Sequence, residues 1–290
     1  MCRILPVSGV IPLEMNTTAS HVPGQSTSER PDDNLRRRKF PWFHFGILTG
    51  LGVLGIFAVF PLVLAAYSEK LAKISISLPL LIVLQTLQGG VLLGGGTALG
   101  LVLGRKVGLT TPLLDALENR RGALVVLKRI LPLALLGGSV AFVVVIFSLP
   151  IFKPYLPPPS HRVNIAPWKG LLASLYGGID EEIFLRLFLM TLLAWLLSLK
   201  WRSKDGSLGK AVLLTANVIA ALVFGAGHLP VMAAVRPLTP AVVAMALSLN
   251  GAGGIILGSL YISRGLEAAM IAHCFADILL HFVKPLVSGS

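Results

Sequence analysis

The sequence predicts an all-α, polytopic membrane helix bundle, and three observations carry that prediction. Of 290 residues, 54% are hydrophobic and only 13% charged. That is about half the charged share of a soluble domain, too little polar surface to cover a water-exposed globule. The apolar residues gather into runs of about 20 or more, the length a helix needs to cross the hydrocarbon of a bilayer. The charges are lopsided, 25 Lys+Arg against 13 Asp+Glu for a formal +12. They collect between the runs, as the positive charges of cytoplasmic loops do, and not as a nucleic-acid footprint.

The elements follow in order. Residues 1–40 form a polar tail rich in Ser, Thr, Pro and Asp with no sustained apolar period, and it is predicted to be disordered. It ends in the basic cluster Arg36, Arg37, Arg38 and Lys39. Seven spans are expected, near 42–67, 76–104, 130–151, 168–199, 211–235, 240–262 and 264–283. A break of the second at Gly89-Gly90 or Gly94-Gly95-Gly96 would make eight. This divides the chain into the tail, N-terminal transmembrane helices over 41–160 and a C-terminal transmembrane core over 161–290.

Lys and Arg counted loop by loop orient the bundle. The Arg36–Lys39 cluster, then Arg105, Lys106, Arg120, Arg121, Lys128 and Arg129, then Lys200, Arg202, Lys204 and Lys210 fall on one side. Fewer lie on the other: Lys70, Lys73, Lys153, Arg162, Lys169 and Arg236. An integral cell-membrane protein with a cytoplasmic N-terminus is expected. Glycines four apart (Gly46/Gly50, Gly90/Gly94, Gly96/Gly100/Gly104 and Gly254/Gly258) are read as close helix packing inside the bundle. The two cysteines, Cys2 and Cys274, give neither a disulfide framework nor metal-ligand spacing.

Ionisable side chains enter the apolar runs selectively. Spans two, three and six hold none, and span one holds only His44 at its edge. Spans four, five and seven hold Asp180, Glu181, Glu182, Arg186, His228, His273, Asp277 and His281. Each charge at mid-bilayer costs about 2.5–3.5 kcal/mol on insertion scales, so this concentration marks a functional site. Glu182 and Arg186, four apart, can pair on one helix face, which leaves Glu181, turned about 100° away, free for other work. Phe224 and His228 share a face, as do His273 and Asp277, and three helices can bring Glu181, His228 and His273 to one depth. Two chemistries suit that set. The glutamate and a histidine can activate a water for attack on a carbonyl, with the second histidine and Asp277 facing the oxyanion. Alternatively, two histidines and a glutamate (Glu181, His228, His273) can hold a divalent metal such as zinc with one open position.

The patterns Glu181-Glu182-x-x-x-Arg186, Phe224-x-x-x-His228 and His273-x-x-x-Asp277, in that order on three hydrophobic helices, resemble the CPBP intramembrane proteases. This family includes the CaaX prenyl endopeptidases and the bacteriocin-processing or immunity proteins also called Abi. The similarity covers about 168–283. It implies an intramembrane endopeptidase in which Glu181 is the general base and His228 its partner on the water. His273 and Asp277 would form the oxyanion site, Glu182 and Arg186 would orient, and Phe224 would wall the site. The last position is often Asn in the family, and an ionised Asp277 cannot donate to an oxyanion; it would have to be protonated, or else orient His273. The resemblance leaves metal dependence open. It implies a membrane-embedded or lipidated peptide or protein as substrate and the bilayer as the setting, with no nucleic-acid partner. Two other classes fit intramembrane acids and histidines: an ion- or proton-coupled transporter, and a non-catalytic immunity or scaffold member of the same fold.

Overall fold

A computed structural model describes residues 39–71, 75–160, 165–201 and 208–288. The expectations for the tail, for Arg36–Arg38 and for Lys73, Arg162, Arg202 and Lys204 lie outside the described residues. Those that are described form a helical bundle with no strand among them, and six of its helices are long and apolar enough to cross a membrane. This is the architecture of an integral membrane protein.

Helix α1, Trp42–Ala66, carries Pro61 within it. Helix α2, Leu78–Val107, starts with a proline in its first turn and stops at Gly108, whose φ of 73° suits glycine; Arg105 and Lys106 sit in the last turn, where cations complement the helix dipole. It runs unbroken through Gly89-Gly90 and Gly94-Gly95-Gly96, so no eighth span arises. Away from water an unmade backbone hydrogen bond costs several kcal/mol, more than the roughly 1 kcal/mol a helical glycine costs. A short helix α3, Pro112–Glu118, follows, and α4, Ala123–Phe152, begins seven residues before the expected 130. Lys128 and Arg129 are simply carried within its first turns.

The fourth expected span is helical but irregular. Pro167–Tyr176 passes through π-helical turns at Gly177–Glu181 and Ile183–Met190 into Thr191–Ser198, a run over 167–198 called α5 here. It is not among the six helices apolar enough to span, because the acids and Arg186 fall in its middle. The fifth span runs over Lys210–Val235, as expected, with a turn inside it. It is α6, Lys210–Gly227, then His228, then α7, Leu229–Val235. Pro230 has no amide proton and clashes with the preceding turn, so the helix ends where it does. Helix α8, Pro240–Arg264, is opened by Thr239, whose hydroxyl accepts from the Val242 amide at 3.4 Å. Helix α9 runs from Leu266–Ile278 through a π-helical turn, Leu279–Val283, into Lys284–Ser288.

Helix α8 packs along α6 and α4, α9 lies against α4, α8 and α5, and α5 against α1 and α2. Leu93, Ile183, Leu187, Met190, Leu257, Tyr261 and Leu266 form the core, while Leu54, Val91 and Phe147 are exposed on the outside, as lipid-facing residues are. The glycine expectation holds for Gly96, Gly100, Gly104, Gly254 and Gly258. A Cβ on Gly100 would run into the Leu187 backbone and one on Gly258 into Asn217. It fails for Gly46 and Gly50, which face nothing within 4 Å; the close approaches on α1 are made by Gly52 and Gly55. Below the bundle, α3 is latched in place. The Leu266 amide donates to the Thr110 carbonyl at 3.1 Å, the Leu114 amide donates to Glu267 at 2.9 Å, and His44 lies 3.2 Å from Asp115 and 3.5 Å from Glu118. Glu267 is thus a buried acid of the seventh span with a structural job, and the charge inventory of the sequence passed over it.

Candidate active site

The site forms where α5, α6 and α9 meet. Gly177 and Gly178 let α5 approach α9. A Cβ on Gly177 would collide with the Asp277 carboxylate, and one on Gly178 would lie 2.6 Å from the Cys274 side chain. The first π-helical turn spans these glycines and the acids, Gly177–Glu181; such widened turns re-aim side chains and recur at functional sites. Thr191 steadies the second by donating to the Arg186 carbonyl, five residues back, at 3.1 Å, with its hydroxyl also 3.0 Å from Tyr261 Oη.

From this frame the two adjacent glutamates face different ways. Glu182 is fully buried, and its Oε1 is 2.8 Å from Arg186 Nη1. The same oxygen accepts from His273 Nδ1 at 2.7 Å. Arg186 in turn donates through Nη2 to the Gly254 carbonyl at 3.2 Å and lies over the Phe224 ring, 4.9 Å from its centroid. A buried carboxylate is thereby paired and hydrogen-bonded, as burial requires. Glu181 instead lines the cavity, with 27% of its side chain exposed and its Oε2 3.7 Å from His273 Nε2.

His273 is held by one nitrogen and offers the other. Because Nδ1 gives its proton to a carboxylate, Nε2 points toward Glu181 and Asp277, each at 3.7 Å. His228 ends α6, and its Nδ1 donates to the Phe224 carbonyl at 2.9 Å, which leaves Nε2 to accept. Phe224 stands edge-on to both imidazoles, with ring centroids 4.8 Å from His228 and 5.6 Å from His273. Glu181, Phe224, His228, His273 and Asp277 all line one cavity of about 1190 Å³.

The pairing of Glu182 with Arg186 and the convergence of Glu181, His228 and His273 on one place match the expectation from spacing. The His273 ring donates through Nδ1 to Glu182, and Asp277 lies 3.7 Å from its other nitrogen. Asp180 does not line the cavity; it is fully buried, and a Cβ on Gly55 would collide with it. His281 is exposed, 4.0 Å from Asp277. Sequence reasoning missed Gly177, Gly178, Tyr176 and Asn250, the last two of which also line the cavity. The Gly-Gly pair directly before three acids was the available signal. Among the described residues no group of three or more His, Cys, Asp or Glu side chains is arranged to hold a metal ion.

A helical membrane bundle with a carboxylate, two imidazoles and a second carboxylate around an intramembrane cavity has the parts of a membrane-embedded hydrolase. Residues 163–279 match the family model described as type II CAAX prenyl endopeptidase Rce1-like, so over this segment the chain is similar to the CPBP/CAAX protease family. That family is one of membrane proteases, and the match indicates a CAAX-type intramembrane protease. No curated protein and no solved structure gives a match.

Proposed function

We propose that this protein is an intramembrane endopeptidase in which Glu181 and His228 activate a water and His273 and Asp277 face the oxyanion. The observation that carries this reading is the division of labour between the adjacent glutamates: Glu182 is consumed in holding His273, while Glu181 stands free in the cavity beside it. In the reaction, Glu181 takes one proton of the water as its oxygen bonds to the peptide carbonyl carbon. His228 Nε2 accepts from the water's other hydrogen. The carbonyl oxygen becomes an oxyanion facing His273 Nε2. Since Nδ1–H is given to Glu182, Nε2 donates only when the ring carries both protons, a state in which it faces three carboxylates. When the C–N bond breaks, the proton held by Glu181 passes to the leaving amine. Asp277 joins the oxyanion site as a donor when it is protonated.

The family description points to a prenylated peptide as substrate. The cavity suits one: away from the acids it is walled by apolar residues, among them Ile56, Val59 and Phe60 of α1 and Ala141, Val145 and Leu149 of α4.

The test is cleavage of a fluorogenic farnesylated CAAX peptide by the full chain in nanodiscs. Glu181→Ala and His228→Ala are each expected to lower the rate by at least about 10²–10⁴-fold, the contribution of a positioned general base, with the melting temperature unchanged. Undiminished cleavage by either would refute the reading. A metal chelator is expected to leave the wild-type rate unaltered. Loss of activity restored by zinc would instead make Glu181, His228 and His273 metal ligands.

A further inference from the structure

Helix α9 presents one continuous stripe to the cavity: His273, Ala276, Asp277, Leu280, His281 and Lys284. Its ionisable members form a ladder. His273 Nε2 is 3.7 Å from one oxygen of Asp277, and His281 Nε2 is 4.0 Å from the other. Lys284 follows within the next turn and, among the described residues, is the one Lys or Arg that lines the cavity. The backbone beneath this end is fixed, because Gly170 of α5 sits so close to the His281 carbonyl that a Cβ there would collide with it. The ladder thus runs from the reacting groups to a cationic end, and both His281 and Lys284 lie beyond the residues matched to the family, 163–279.

We propose that His281 and Lys284 form a carboxylate-binding subsite that fixes the substrate peptide on one side of the scissile bond. The proposal rests on the peptidase reading and adds to it the group that sets the register. Lysine is a point-charge donor with three hydrogens, and an imidazole one turn away supplies a second. Opposite them the cavity offers apolar walls, so an anionic group entering it finds its complement at this end. Seven residues separate Asp277 from Lys284, a rise of about 10 Å, which about three extended peptide residues span. A chain-terminal carboxylate about three residues past the scissile bond therefore reaches Lys284; an acidic side chain at that distance carries the same chemistry.

The test measures binding and cleavage separately. A dye-labelled farnesylated CAAX peptide, as free acid, as C-terminal amide, and as amide with an Asp third from the cut, is titrated onto the full chain in nanodiscs of neutral lipid. Binding is followed by fluorescence anisotropy, with turnover recorded in parallel. The free acid is expected to bind about tenfold more tightly than the plain amide, the worth of one charge-assisted hydrogen bond. Lys284→Gln should erase the difference, Lys284→Arg should keep it, and His281→Gln should reduce it; amide binding stays constant throughout. KM moves and kcat does not. The Asp-containing amide recovering the affinity assigns the site to a side chain, and its failure to do so assigns it to the chain terminus. Equal binding of acid and amide by wild type overturns the proposal, as does a Lys284→Gln loss that appears only when anionic lipid is added, which would make Lys284 a headgroup contact. Discrimination in binding without any turnover leaves the subsite standing and removes the peptidase reading.

Discussion

At the residue scale, the site rests on one buried carboxylate shared by an arginine and a histidine. Glu182 faces Arg186 at 2.8 Å and His273 at 2.7 Å, and neither Glu182 nor Arg186 has appreciable exposure. Removing one partner of such a pair strands the other charge at a cost of about 3–5 kcal/mol, whereas replacing both with neutral groups of similar shape costs far less. Arg186→Met is therefore expected to lower the melting temperature in detergent sharply, and Glu182→Gln/Arg186→Met to recover most of it. The double variant remains slow in cleavage, because His273 has lost the carboxylate that fixes its ring. A double variant as unstable as Arg186→Met alone would show that the arginine acts through Gly254 and Phe224 and not through Glu182. Periodicity already placed Arg186 one turn from Glu182. It gave no hint of the bond from Glu182 to His273, which joins residues 91 apart in sequence and exists only once α5 and α9 are packed.

At the element scale, apolar run length located the helices well, and local chemistry set their ends. The proline and glycine signals at Pro230 and Gly108 end helices as their chemistry requires. The π-helical turns of α5 and the continuity of α2 were not legible, for the same reason. Both depend on what lies across the interface: Thr191 on Tyr261, and Gly100 on the Leu187 backbone. Glycine spacing is likewise blind to direction, which is why Gly46/Gly50 and Gly96/Gly100 look alike in sequence and differ in the fold. Gly100→Ala, with backbone opposite that cannot move aside, is expected to destabilise the bundle by about 1–3 kcal/mol, as overpacking does, and to cut activity by shifting α5. Gly46→Ala meets open space and is expected to stabilise by about 0.5–1 kcal/mol through helix propensity alone. Thermal unfolding of the two variants side by side measures the contrast, and equal effects would sink the packing argument.

At the scale of the whole molecule, the ionisable residues proposed for the reaction and much of the apolar lining come from different parts of the chain. Every ionisable group proposed for the reaction comes from α5, α6 or α9, yet the cavity extends between α1, α2 and α4, where Ile56, Val59, Gly89, Ala141 and Val145 face it. The matched family segment begins only at 163, so the region that shapes the apolar arm from α1, α2 and α4 lies outside it. If that arm receives the lipid chain of a substrate, filling it must penalise the chain and spare the peptide. Val145→Trp places a large ring in the arm from α4 without touching Glu181, His228 or His273. It is expected to raise KM for a farnesylated peptide about tenfold or more, since burial of even two or three methylene groups is worth about 0.8 kcal/mol each. The same peptide bearing a methyl group in place of the farnesyl chain should keep its own, weaker kcat/KM. A tryptophan that slows both peptides equally would mean that the arm carries the peptide itself, and a geranylgeranylated peptide hit harder than the farnesylated one would place the ring near the far end of the chain.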